Sequence, residues 1–115
     1  MEEIKGFNIL LDLHDCDQDK LDNYKEIKEN LSAIVKKSDF KIVGEKYHKF
    51  KPYGVTGVIL LASSHVSVHT WPELGFVAVD IYSCKGFENA KKIADDLIKF
   101  FGAKRVESKE IVRFR

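Results

Sequence analysis

The spacing of apolar residues predicts two long helices and a first strand. Residues Gly6 to His14 are apolar around Leu10 and predict a strand near the start of the chain. From Asp19 to Lys37, and again from Phe87 to Phe101, apolar residues recur every three or four positions, with Lys and Glu between them. This spacing gives each helix one apolar face and one charged face.

Five further segments alternate apolar and polar residues or form short β-branched runs, as strands do. Pro52 and Gly54 mark a turn, and Gly102 is placed to end the second helix. We therefore predict an α+β fold, an antiparallel sheet with two helices on one face. The other sheet face must then meet water, a second sheet or a ligand. The five segments are Lys41–Phe50, Val55–Leu61, His65–His69, Phe76–Ser83 and Val106–Phe114.

Length, charge and cysteine content narrow the possible functions. The 115 residues fit a single domain, 1–115. Nineteen Lys and Arg against 18 Asp and Glu leave a net charge of +1, so nucleic acid is not an expected partner. The longest apolar run, Val58–Ala62, is too short to cross a membrane. Two cysteines, Cys16 and Cys84, lie far apart and outside any CxxC, which favours a reduced, cytoplasmic compartment.

The densest cluster of reactive residues runs from Ser63 to Glu73. His65 and His69 are four residues apart, but on a strand their Cα atoms are about 13 Å apart, too far to bind one metal ion. His14 and Cys16 have no further ligands at a suitable spacing. We therefore expect no metal site.

The pair Ser63-Ser64 lies in a short turn between two predicted strands, with histidines nearby. A hydroxyl in such a turn can attack the preceding carbonyl when a base is close. Cys84, one strand away, adds a second reactive group. An ordinary strand, with Val66 and Val68 in the core and polar residues outside, remains the alternative.

Two longer motifs resemble the short prokaryotic S-adenosylmethionine decarboxylases. The first is SSHVSVHTWPE (63–73) followed by VDIYSC (79–84), which is similar to the family pattern E-S-H-x-[ST]-x-H-T-[WY]-P-E and V-D-x-[FY]-[ST]-C. The second is HKFKPYGVTGV (48–58), which is similar to H-x-F-x-P-Y-G-x-[ST]-G. The likeness extends from about Gly6 to Arg105.

This resemblance implies a proenzyme that cleaves itself between Ser63 and Ser64. The Ser64 hydroxyl would attack the carbonyl of Ser63, and an ester, elimination and hydrolysis would follow. The products would be a beta chain, residues 1–63, and an alpha chain, residues 64–115, in which Ser64 has become a pyruvoyl cofactor. By the same resemblance His69 assists the cleavage, and Thr56 occupies the position of a serine hydroxyl that takes part in it.

The resemblance also implies roles in turnover. The pyruvoyl carbonyl would form a Schiff base with the amine of S-adenosylmethionine and accept the electrons left when CO2 departs. Cys84 matches the general acid that reprotonates the substrate carbon. Phe50 is the candidate for stacking on adenine, and His65 and Glu73 are further candidates for substrate binding. The product would supply aminopropyl groups for spermidine biosynthesis.

The implied assembly is a homodimer of processed protomers, an αββα sandwich with the sheets facing inward. Ser63 replaces the glutamate that is usual before the processing serine, so the sequence does not decide the identity of the substrate. A pyruvoyl-dependent arginine or ornithine decarboxylase is the alternative enzyme. The other alternative is an unprocessed, non-catalytic α+β module, which would bind RNA through lysines and aromatic residues such as Lys49 and Phe50.

Overall fold

The computed structural model describes residues 4–114, which form one six-stranded sheet and three helices. The strands are β1 (Gly6–His14), β2 (Ile42–Lys49), β3 (Val55–Leu61), β4 (His65–Trp71), β5 (Phe76–Ser83) and β6 (Arg105–Arg113). The helices are α1 (Gln18–Leu21), α2 (Tyr24–Lys37) and α3 (Phe87–Phe101), and Pro72–Leu74 form one 3-10 turn.

The strands lie in the order β2-β3-β4-β5-β1-β6, and every neighbouring pair is antiparallel. Helix α2 packs on β2 and β3, α3 packs on β1 and β5, and the two helices contact each other. Both long helices therefore cover the same face of the sheet. This arrangement confirms the predicted α+β fold.

The core lies between the helices and the sheet, because each long helix buries one apolar face there. Helix α2 buries Ile27, Leu31 and Val35, and α3 buries Ile93, Leu97 and Phe101. Every second residue of the central strands meets them, and removal of this apolar surface from water is the main force that stabilises the fold. The buried strand residues include Ile9, Leu11, Leu13, Val55, Ile59, Val66, Val68, Val77, Val79 and Ile81.

The prediction of a single helix from Asp19 to Lys37 is wrong, because a first short helix ends at Leu21 and a second one begins at Tyr24. Asn23 begins α2 as its N-cap, and its side chain accepts a hydrogen bond from the amide of Glu26. The Asp22 carboxylate accepts a hydrogen bond from the amide of Gly54, which lies in the turn between β2 and β3. Capping and a distant contact therefore outweigh the helical spacing of the apolar residues.

Other boundaries differ by small amounts. Strand β4 continues two residues beyond His69, to Trp71, where Pro72 begins the 3-10 turn. Strand β6 ends at Arg113, so Phe114 lies outside it. Among residues 4–114, no helix is long and apolar enough to cross a membrane.

The sheet face opposite the helices is open. Alternation along β3, β4 and β5 directs one set of side chains to this face, and most of them are partly or fully exposed. The set combines apolar, hydroxyl, imidazole and carboxylate groups. Its members are Thr56, Val58, Leu60, His65, Ser67, His69, Trp71, Ala78, Asp80 and Tyr82.

Candidate active site

The reactive side chains of the open face form two groups at opposite ends of the β3–β4 hairpin. The hairpin-end cluster comprises Ser63, Ser64, His65, Tyr82 and Cys84. The turn-end cluster comprises Phe50, Thr56, His69, Trp71 and Glu73. Strand pairing fixes this division, because Leu60 pairs with His65 at one end and Thr56 pairs with His69 at the other.

Ser64 lies at the base of the turn that joins β3 to β4. Its carbonyl accepts a hydrogen bond from the amide of Leu61 at 2.9 Å, so Ala62 and Ser63 form a two-residue loop. Ser63 is exposed, whereas Ser64 is only 6% exposed. The Ser64 hydroxyl accepts a hydrogen bond from the amide of Cys84, with 3.1 Å between Oγ and N. The loop therefore holds a buried hydroxyl directly after an exposed residue.

Cys84 follows the last residue of β5 and has an exposed thiol. Its Sγ donates a hydrogen bond to the phenol oxygen of Tyr82 at 3.6 Å. The backbone turn behind the thiol is organised by Ser83, whose buried hydroxyl accepts from the amides of Lys85 and Gly86. The fold thus brings a thiol and the Ser64 hydroxyl to the same corner of the open face.

His65 extends this cluster across the sheet. Its ring stacks on Tyr82, with centroids 5.8 Å apart and 25° between the planes. Its Nε2 lies 3.9 Å from Oδ2 of Asp80, and the other carboxylate oxygen, Oδ1, accepts a hydrogen bond from the side-chain amide of Asn8. A carboxylate, an imidazole, a phenol and a thiol therefore line one continuous surface beside Ser64.

The turn-end cluster contains a hydroxyl–imidazole pair. Thr56 Oγ1 and His69 Nδ1 are 2.9 Å apart, which brings the two residues predicted to act in cleavage into hydrogen-bond contact. Trp71 lies beside His69, with ring centroids 6.3 Å apart. Glu73 is exposed on the 3-10 turn that follows Trp71.

Phe50 begins the turn between β2 and β3, and 46% of its surface is exposed. Its amide donates to the carbonyl of Gly54 at 2.8 Å, and its ring meets His48 edge-on at 4.6 Å. Asp22 anchors this turn, because its Oδ1 accepts from the amide of Gly54 at 2.8 Å and from the ammonium of Lys49 at 2.9 Å. The Gly54 hydrogen bond, followed by Lys49, lowers the pKa of Asp22.

Thr70 links β4 to the end of the turn between β2 and β3, on the face of the sheet that the helices cover. Its hydroxyl accepts from the amide of Val55 at 2.9 Å and donates to the carbonyl of Leu21 at 2.6 Å. Thr70 is buried between His69 and Trp71, which point the opposite way. The hydroxyl therefore fixes the end of β4 that presents the turn-end cluster.

Within one chain, His69 does not reach the scissile turn. Five residues of extended strand separate Ser64 from His69, a distance of about 17 Å between Cα atoms. Within one protomer, His69 and Thr56 therefore lie away from the Ser63–Ser64 turn that the resemblance implies they help to cleave. His65 is the histidine next to Ser64, whereas Thr56, His69, Phe50 and Glu73 all lie near the other end of β4.

A basic cavity opens beside Ser63, with a volume of about 370 Å³. Lys85 donates to both the carboxylate and the backbone carbonyl of Asp39, whereas Lys36 and Lys41 make no ion pair within residues 4–114. The cavity therefore keeps uncompensated positive charge next to the exposed peptide of Ser63.

Five residues near these clusters were not assigned a role from the sequence. Tyr82 and Asp80 share the face of Cys84 through strand alternation, which the sequence does reveal. Ser83, Asp22 and Thr70 act through buried or long-range hydrogen bonds, which no local pattern indicates. The five are Asp22, Thr70, Asp80, Tyr82 and Ser83.

The residues present fit a pyruvoyl group made from Ser64. Ser64 carries its hydroxyl on Cβ, next to the Cα that would become the ketone carbon, and it lies at the base of an exposed hairpin loop. The neighbouring open face has room for a substrate, in a cavity of about 740 Å³ lined by His65, Asp80 and Tyr82. Among residues 4–114, no group of three or more His, Cys, Asp or Glu side chains is arranged to bind a metal ion.

Comparison with known proteins gives consistent matches over nearly the whole chain. The family model described as S-adenosylmethionine decarboxylase matches residues 8–114. An S-adenosylmethionine decarboxylase proenzyme of Sulfurihydrogenibium sp. (strain YO3AOP1) is 41% identical over 109 residues, which cover 95% of this chain and 82% of that one. A proenzyme of the same name from Clostridium botulinum (strain Langeland) is 37% identical over 108 residues, covering 94% and 93%.

The crystal structure of the adenosylmethionine decarboxylase from Aquifex aeolicus VF5 is similar with a TM-score of 0.93 and 38% identity. The match covers 98% of this chain and 93% of that one. The open sheet with its hairpin serine and neighbouring thiol thus has the architecture of a small α+β decarboxylase. The chain belongs to the S-adenosylmethionine decarboxylase family.

Proposed function

We propose that this protein is a self-processing decarboxylase that acts on S-adenosylmethionine and supplies aminopropyl groups for spermidine biosynthesis. Membership of the family supports the substrate. The observation that best supports the chemistry is the hairpin-end cluster, where the buried Ser64 hydroxyl accepts a hydrogen bond from the amide of Cys84. It combines a nucleophile for cleavage with a thiol acid for turnover.

Cleavage begins when Ser64 Oγ attacks the carbonyl carbon of Ser63. The peptide C–N bond breaks as the ester C–O bond forms, and the proton of the hydroxyl passes to the released amine. Loss of the Ser64 Cα proton then expels the ester oxygen as the Ser63 carboxylate. The resulting enamine takes up a proton on Cβ and becomes an imine, to which water adds as ammonia leaves. The alpha chain (64–115) then begins with a pyruvoyl group, and the beta chain (1–63) ends in a carboxylate.

The basic cavity supports the stability of this product. The new carboxylate forms on Ser63, beside Lys36 and Lys41, which lack ion-pair partners within residues 4–114. Opposite charges attract each other modestly at an exposed site. The lysines of this chain thus supply positive charge where cleavage creates negative charge.

A pyruvoyl group supplies a carbonyl that captures the substrate amine and withdraws the electrons left by CO2. Cys84 holds the proton that the substrate carbon then needs, and its exposed thiol faces the open surface. Phe50 offers an exposed aromatic face for adenine. His65 and Glu73 offer an imidazole and a carboxylate for the rest of the substrate.

A homodimer with facing sheets brings the two clusters together. One chain separates Ser64 from His69 by about 17 Å along β4, so its own imidazole is too far to act on its own hydroxyl. A two-fold axis through the open face places the turn-end cluster of one protomer near the hairpin-end cluster of the other. Exposed Val58 and Leu60 supply apolar surface for this contact.

The exposed Cys84 thiol also supports a reducing compartment, which we propose is the cytoplasm. The near-neutral net charge of +1 supports a small-molecule substrate and not nucleic acid.

A substrate panel tests the proposed activity. Purified, cleaved protein is incubated separately with carboxyl-labelled S-adenosylmethionine, arginine and ornithine, and released CO2 is measured. We expect release from S-adenosylmethionine only, and Ser64→Ala serves as the uncleaved control. Release from arginine or ornithine alone would reject the proposed substrate, and no release from a fully cleaved protein would reject the decarboxylase assignment.

A further inference from the structure

Tyr82 connects the two functional groups nearest to Ser64. Its phenol oxygen accepts the hydrogen bond of the Cys84 thiol at 3.6 Å, and its ring stacks on His65 at 5.8 Å. Residues 82 and 84 are two apart, so both side chains point to the open face. The thiol is exposed, and this hydrogen bond is the side-chain contact that restrains it within residues 4–114.

The position of the Tyr82 ring is fixed by β1 as well as by His65. A Cβ atom at Gly6 would lie 2.5 Å from the phenol oxygen and 2.7 Å from Cζ, closer than nonbonded atoms approach. Any larger residue at position 6 would push the ring out of this position. The ring is therefore held by the backbone of Gly6 and the imidazole of His65, independently of the thiol.

The phenol remains neutral at physiological pH. Its hydrogen bond with Cys84, followed by desolvation, raises the pKa of Tyr82 above that of an ordinary tyrosine. A neutral phenol offers both an acceptor and a donor, so it can hold a thiol without adding charge to the site.

We propose that Tyr82 is a positioning residue that aims the Cys84 thiol and thereby determines which carbon receives its proton. This inference rests on the proposed function. After CO2 leaves, the substrate carbon and the former pyruvoyl carbon flank the same nitrogen, and both are electron-rich. A rigidly seated phenol holds the sulfur near one of them.

The two outcomes of proton transfer have different products. A proton on the substrate carbon leads, after hydrolysis, to the decarboxylated amine and an intact pyruvoyl group. A proton on the pyruvoyl carbon leaves the amine nitrogen on the alpha chain, whose first residue becomes alanine, while water releases the substrate carbon as an aldehyde. The second outcome inactivates the enzyme, so the mass of the alpha chain records every misdirected proton.

Tyr82→Phe tests this role, because it keeps the ring, the contact with Gly6 and the stacking on His65 while removing the acceptor. We expect normal cleavage, an unchanged KM and a lower kcat. The number of turnovers before the alpha chain becomes alanyl should fall by about tenfold or more, since displacements of an ångström change rates by large factors. Intact-mass spectrometry of the alpha chain measures this ratio.

Two further variants separate positioning from general damage. Gly6→Ala pushes the ring away while keeping its hydroxyl, and it should raise the alanyl fraction as Tyr82→Phe does. Tyr24→Phe removes a tyrosine hydroxyl on α2, in the helix layer, and should match the wild type. All variants must first show the wild-type extent of cleavage.

A measurement without substrate checks the same contact. With cysteine labelled at Cβ, NMR couplings report whether the Cys84 side chain keeps one rotamer. We expect a single rotamer in the wild type and averaged couplings in Tyr82→Phe, with buried Cys16 unchanged as the internal control.

A wild-type number of turnovers per inactivation in Tyr82→Phe, or an unchanged Cys84 rotamer, would overturn the positioning role. An uncleaved wild-type chain would instead reject the proposed function, and this inference with it. The mass of the untreated wild-type protein distinguishes these two failures.

Discussion

Cys84 and Cys16 carry the same functional group in opposite environments. Cys16 is 7% exposed, and desolvation, followed by the charge of Asp15, raises the pKa of its thiol to about 11. Cys84 is exposed at the end of β5. Since the thiolate is the reactive form, burial and a high pKa make Cys16 inert, whereas Cys84 is accessible.

We therefore expect a neutral alkylating reagent at pH 7.5 to modify Cys84 and leave Cys16 unmodified in the folded protein. Peptide mapping by mass spectrometry identifies the labelled residue, and Cys84→Ala is the control that should take up no label. Labelling of Cys16 at a comparable rate in the native state would contradict the burial described here.

Cys84→Ala also separates cleavage from turnover. In the proposed mechanism the thiol plays no part in the attack of Ser64 on Ser63, so cleavage should proceed as in the wild type. Decarboxylation should fall by a factor on the order of 10² to 10⁴, as expected for loss of a general acid. Turnover at the wild-type rate by a cleaved variant would show that another group donates the proton.

At the residue scale, the sequence identified the reactive groups better than their contacts. The motif around Ser64 and Cys84 pointed to the family, which the comparisons confirm. Tyr82 lay inside that motif, but its role depends on the space left by Gly6, 76 positions away in the chain. Such a contact is a product of strand pairing and has no local signature.

At the scale of elements, Asp22 lies where the predicted helix is interrupted, and its carboxylate also anchors the turn between β2 and β3. The apolar spacing predicted one helix from Asp19 to Lys37, whereas Asp22 breaks it and binds the turn that carries Phe50. The remaining strands and α3 followed their patterns closely, because each buries one regular apolar face. Interactions between elements, such as Asp22 with Gly54, are what periodicity cannot reveal.

The lowered pKa of Asp22 gives this anchor a defined pH dependence. A carboxyl whose pKa is lower in the folded state stabilises the fold above its ordinary pKa of about 3.9, and this stability is lost as pH falls through the native value. Asp22→Asn should therefore lower Tm by a few degrees at pH 7 (about 2–4 °C) and by progressively less below pH 4.

Thermal unfolding from pH 3 to 7 measures this difference, and Glu29→Gln removes an exposed carboxylate of α2 as the matched control. The control should change Tm little at any pH. An Asp22→Asn effect that is equally large at pH 3 and pH 7 would show that the charge of Asp22 does not anchor the turn.

At the scale of the whole molecule, the separation of the two clusters supports the proposed dimer. The sheet is covered by helices on one face only, and the hydroxyl and the imidazole that we propose act in cleavage lie at opposite ends of β4. The proposed dimer would cover the open face and would also bring His69 of one protomer near Ser64 of the other. The sequence indicates the open face and, through strand spacing, the separation of Ser64 from His69. The placement of Thr56 beside His69 depends on the pairing of β3 with β4, which the sequence does not show.

Mixed dimers test this arrangement. Ser64→Ala retains His69 but cannot be cleaved, and His69→Ala retains Ser64 but lacks the imidazole. When the two are co-expressed with different tags, we expect the His69→Ala chain to be cleaved faster than in its own homodimer. Equal rates in mixed and pure dimers, or a stable monomer in sedimentation, would contradict supply of His69 by the partner.

We propose that Ser64 cuts the chain and becomes the cofactor, and the intact mass of the purified protein shows whether it does. We expect two chains, of 63 and 52 residues, with the second blocked by a pyruvoyl group, and a single chain for Ser64→Ala. A fully folded wild-type protein that remains a single chain of 115 residues would contradict the account.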